Sequence, residues 1–90
     1  SLAEEYTKVI GESRTAVSEG RTLYAMSPRD MYRACLFATD ATEQGVAAEL
    51  VGAIADKCQA WDADTGDRVN DNGVIEQWVA KMQTIAVVGT

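Results

Sequence analysis

The chain has 90 residues, 47% of them hydrophobic and 24% charged, with one proline, two cysteines, no histidine and a formal net charge of −6. A chain of this length buries about two thirds of the surface its unfolded form exposes, so it supports one shared core, and the composition is that of a folded domain and not of a disordered one. The lack of histidine excludes a Ser/His or Cys/His dyad, a histidine base and imidazole zinc ligation, and two cysteines cannot complete a structural zinc site by themselves.

The charge is unevenly placed. Residues 1–39 hold five acidic and five basic groups, and residues 40–90 hold nine acidic against three basic. An acidic half repels phosphate backbones and argues against nucleic acid as a partner. No apolar run is long enough to span a bilayer, and no basic start leads into an apolar stretch as in a signal peptide. The chain opens on Ser1-Leu2 without a methionine, as either an excised piece of a longer protein or a chain with a residue left over from cloning would.

Residues 2–19 carry Leu2, Tyr6, Val9, Ser13 and Ala16 at alternating spacings of four and three, with Ile10 and Val17 beside them, which predicts an amphipathic helix. Glu4 and Lys8 stand at i,i+4 on it, and Gly20 is placed to close it. Residues 21–26 lack a helical period and read as an extended connector pinned by Leu23, Tyr24 and Met26, with a short strand as the other option. Ser27-Pro28-Arg29-Asp30 is the strongest local signal in the chain. Ser27 and Asp30 form a capping box, Pro28 falls at the first helical position, and Met26 and Met31 stand where a hydrophobic staple needs them. On this reading Ser27 is the more important half of the box.

The helix so launched places Met31, Cys35 and Ala38 on one apolar stripe, with Tyr32 and Leu36 next to it. At 39–42 it weakens; Asp40 or Thr42 is a candidate cap for a new helix, and Gly45 leaves a single bent helix as the alternative. From Val46 to Trp61 the rhythm Ala47, Val51, Ile54, Cys58, Trp61 predicts the central core helix. A loop of turn formers follows, from Asp62 to Gly73, and then a last helix with Val74, Ile75, Trp78, Val79, Met82, Ile85 and Ala86 on its buried side. The whole predicts a single all-α domain over 1–90, a small bundle of four helices, or of three if 28–61 is continuous.

If the second and third helices form a hairpin turning near residue 42, Cys35 faces the level of Leu50. Cys58 then lies about 12 Å further on at the helical rise, beyond disulfide reach. Two free buried thiols are expected, which favours a reducing, cytoplasmic compartment.

The loop 62–73 is the one stretch suggesting an ion. Asp62, Asp64 and Asp67 offer hard oxygen ligands, and Asn70, Asn72, Gly73 and Ile75 resemble the middle of an EF-hand calcium loop. Arg68 and Val79, however, stand where that family's first and twelfth positions need carboxylates. A solvated, turn-forming loop accounts for the same residues. Arg29 and Arg33 stand a turn apart at a helix start, a candidate surface for an acidic partner, with a solvated helix face as the plainer explanation. The Ser27-Pro28-x-x-Met31 entry into an amphipathic helix is similar to that of small flagellar export chaperones over a short stretch only.

No catalytic constellation or cofactor motif stands out, so the expectation is a non-enzymatic interaction module: an adaptor, assembly factor, secretion-type chaperone or regulatory subunit, binding a protein or itself. A divalent-ion-responsive domain using 62–73, and a fragment of a larger enzyme, are the alternatives.

Overall fold

The computed structural model describes residues 1–58, 64–65 and 72–87. Within them the fold is all-helical, with four helices: α1 (Leu2–Ser18), α2 (Pro28–Phe37), α3 (Glu43–Lys57) and α4 (Asn72–Val87). α3 packs against both α2 and α4, and α4 also meets α1. No helix among the described residues is long and apolar enough to cross a membrane.

α1 buries the five residues its period selects, Leu2, Tyr6, Val9, Ser13 and Ala16. Its end is a Schellman motif: the Arg21 N–H reaches the Ala16 carbonyl at 2.8 Å and the Gly20 N–H the Val17 carbonyl at 3.0 Å. This geometry needs a left-handed residue, which Gly20 supplies at φ +75°. The Glu4–Lys8 pairing does not form; Lys8 turns back to Glu5 at 3.3 Å instead.

α2 and α3 are separate helices, which removes the three-helix alternative. Thr42 caps α3, its hydroxyl accepting from the Gly45 N–H at 3.0 Å, while Asp40 accepts from Thr42. Gly45 is there for space. A Cβ on it would lie 2.5 Å from Asp40 Oδ1 and 2.9 Å from the Asp40 carbonyl oxygen, so the chain reversal closes only over a bare backbone.

The core joins Val9, Met26, Leu50, Ile54, Trp78 and Met82, all at most 1% exposed. α3 buries Val46, Ala47, Leu50 and Ile54, with Cys58 at its C-cap. Its inward stripe is thus rotated toward 46 and 50, and Val51 is half-buried. On α4, Ile75, Trp78 and Met82 are buried and Val74, Val79, Ile85 and Ala86 pack around them, as the period predicts. Trp61 and most of the loop 62–73 lie outside the described residues.

α2 departs most from expectation. Its buried residues are Asp30 and Ala34. Met31 and Ala38 are half-buried, but Cys35 is exposed, as are Tyr32 (65%), Leu36 (63%) and Phe37 (73%). Both thiols are free as expected, and only Cys58 is buried. Leu23, expected to pin the connector, is also exposed.

Candidate functional site: the outer face of α2

Five residues of α2, Arg29, Tyr32, Arg33, Leu36 and Phe37, follow the spacing i, i+3, i+4, i+7, i+8 that puts side chains on one face of a helix. All five are exposed. The face is basic toward its N-terminal end and apolar toward its C-terminal end. Among the described residues neither arginine takes part in an ion pair or hydrogen bond. Arg29 and Arg33 thus lie where the sequence suggests, and the structure adds the three large apolar side chains beside them.

A helix presenting its large apolar groups to solvent must be held by something else. Here a polar network beneath its N-terminus does so. Asp30 is 2% exposed and accepts from Lys57 Nζ at 2.8 Å, from the Ser27 N–H at 3.0 Å and from the Tyr24 hydroxyl at 3.1 Å. The Ser27 hydroxyl donates to the same carboxylate at 3.1 Å. Ser27 and Asp30 form the capping box that the sequence predicts, and the Asp30 N–H also bonds the Ser27 carbonyl, 3.1 Å away. Asp30 is therefore the centre of the cap, the reverse of the order expected from sequence.

The connector ahead of α2 is fastened on two sides. From α1, the buried Ser13 hydroxyl accepts from the Met26 N–H at 2.9 Å, and the Tyr6 hydroxyl donates to the Ser27 carbonyl at 2.7 Å. From α3, the Cys58 thiol donates to the Tyr24 carbonyl at 3.4 Å, and Lys57 sits 5.3 Å from the centre of the Tyr24 ring, a cation–π distance. The electrostatics follow. Desolvation raises the Asp30 pKa, but hydrogen bonds from Lys57, Ser27 and Tyr24 outweigh it, so the group stays below the ordinary carboxylate value. Burial raises the Tyr6 phenol, and the Asp30 charge adds to this. Burial also pushes the Cys58 thiol up to about 11, which keeps it protonated and unreactive near neutrality.

Beside the exposed face runs a groove of about 170 Å³ between α2 and α3. Asp30, Arg33, Ala34 and Phe37 line it from α2, and Glu49, Ala53 and Lys57 from α3. A wider concavity of about 630 Å³ lies between α1 and α4, and several of its polar groups are already paired. There the Trp78 indole N–H donates to Glu12 at 2.8 Å, Lys81 approaches Glu12 at 3.7 Å, and Arg21 approaches Glu19 at 3.5 Å. Its size is the greater, yet on the α2 face two cations without ion pairs stand beside three exposed large apolar side chains.

Of the carboxylates suggested for an ion, Asp64 is exposed in a turn at 64–65, and Asp62 and Asp67 lie outside the described residues. Among the described residues no three acidic or cysteine side chains gather as a metal site. In the sequence the cap motif marks Asp30, and nothing marks its partner Lys57. No protein-family model, curated protein or solved structure matches the chain.

Proposed function

We propose that this protein is a non-catalytic interaction module that docks a helical segment of a partner protein on the outer face of α2. The observation that carries this reading is the solvent exposure of Tyr32, Leu36 and Phe37 together on a helix whose fully buried residues are an aspartate and an alanine, with Met31 half-buried beside them. Side chains of this size stabilise a fold by about 1.5–3 kcal/mol each when fully buried, and α2 withholds three of them. Clustered exposed apolar groups rimmed by charge mark interaction sites more often than scattered ones do. The absence of histidine from the sequence supports a role through contact.

The test is the double substitution Leu36→Ser, Phe37→Ser, followed by urea titration. The side chains face water, so stability is expected to stay within about 0.5 kcal/mol of the parent, as for ordinary surface changes. A loss of about 2 kcal/mol or more, typical of core truncation, would mean that they belong to the core and leave no docking face.

A further inference from the structure

Building on α2 as a docking face, we infer that its occupant is an acidic amphipathic helix of a partner protein, which sets two carboxylates one turn apart against Arg29 and Arg33 and rests an apolar anchor on Leu36 and Phe37. The two arginines are i,i+4 neighbours, so their side chains leave the helix about 6 Å apart. That is also the spacing of carboxylates at i,i+4 on a facing helix. Each is free of ion pairs among the described residues, on a molecule whose net charge is −6. The surrounding field repels extended polyanions, so only a short acidic element that reaches the patch gains from it.

The size of the face points the same way. Ten helical residues rise about 15 Å, and a helix is about 10 Å wide with its side chains. Such a strip falls far short of the roughly 800 Å² per partner that a stable globular pair buries, so α2 alone does not hold a second copy. A twofold pairing centred on α2 would also bring like charges together across the seam. The dimensions suit a helix laid against a groove, with anchors at i, i+3, i+4 and i+7. The α2–α3 groove lies alongside: the small side chains of Ala34 and Ala53 and the ring of Phe37 are the apolar part of its lining, where a short apolar side chain can rest. Lys57 is engaged by Asp30, and Glu49, which lines the groove from α3, repels acids, so carboxylates are directed to Arg29 and Arg33.

The experiment is selection of a displayed library of helical peptides, randomised on one face, against the intact protein. Selected clones are then measured against three variants: Leu36→Asp/Phe37→Asp, Arg29→Glu/Arg33→Glu, and Lys8→Glu/Arg14→Glu as a control of equal charge change on α1. Clones rich in Asp or Glu one turn apart are expected, with binding that falls about tenfold or more on reversing Arg29 and Arg33 and stays near the parent value on reversing Lys8 and Arg14. Clones that depend on Leu36 and Phe37 but show no acidic preference and ignore Arg29→Glu/Arg33→Glu would overturn the acidic-partner inference and leave the docking face standing. Clones indifferent to both α2 variants, or a stable dimer of the parent protein that Leu36→Asp/Phe37→Asp breaks, would overturn the inference together with the partner-docking reading.

Discussion

Lys57 Nζ meets Asp30 Oδ1 at 2.8 Å across 27 residues of sequence, tying the last turn of α3 to the first turn of α2. One carboxylate oxygen also accepts from the Ser27 backbone and the other side of the group from Tyr24, so a single residue closes the helix cap and the interhelical contact. Asp30→Ala is expected to cost about 3 kcal/mol, the lower end for breaking a buried pair, because Lys57 is 35% exposed and regains water. Ser27→Ala removes the hydroxyl half of the capping box, which also donates to Asp30, and is expected to cost about 1 kcal/mol. Equal losses in urea titration would show that Asp30 is not the centre of the network.

Acid and alkali should each reach this network through a different group. The Asp30 pKa is lowered in the fold, so its contribution is present above the unfolded carboxylate value near pH 4 and is lost as pH falls through the folded pKa. The Cys58 pKa is raised from 9.0 to about 11, so its contribution is complete below pH 9 and is lost as pH rises toward 11. Tyr6, also raised, acts in the same alkaline direction. Stability against pH is expected to show a plateau bounded by these two falls, and Asp30→Asn should reduce the acid fall. An unchanged acid limb in Asp30→Asn would contradict the assignment.

The cysteines give a direct check of the orientation of α2. Cys35 is exposed and Cys58 is buried. One thiol per chain should react quickly with a maleimide under native conditions, and the second only on unfolding; Cys35→Ser should remove the fast reaction. Two slow thiols would mean that α2 is turned with Cys35 inward.

At Gly45, alanine should destabilise although the position is helical. An exposed helical glycine normally gains about 1 kcal/mol on becoming alanine, but here the added carbon meets Asp40 at 2.5 Å. A loss of about 1–3 kcal/mol is expected, the range for forced overpacking. A gain in melting temperature would show that the α2–α3 reversal is looser than described.

Which parts of this were legible in the sequence follows from how local their causes are. The five inward residues of α1 share one period, and nothing competes with it. The left-handed Gly20 and the Ser27–Pro28 entry are set by neighbours a few residues away. α2 misleads because it has two apolar arcs. Periodicity finds both Met31–Cys35–Ala38 and Tyr32–Leu36–Phe37, but it cannot decide which faces inward. Asp30 and Ala34 decide it: a carboxylate that meets Lys57 and a side chain small enough for the α2–α3 approach turn the larger arc outward. The Asp30–Lys57 contact depends on the tertiary pairing of two helices, and no local pattern announces it. For the same reason the sequence located Arg29 and Arg33 without showing the apolar side chains that give them a binding context.

The central claim is that a partner helix lies on α2 and in the groove beside it, and amide chemical-shift mapping with a selected acidic peptide tests it most directly. The largest shifts are expected at residues 29–37 and at Glu49, Ala53 and Lys57 across the groove. Shifts gathered instead around Glu12, Gln77 and Trp78, in the concavity between α1 and α4, would contradict it.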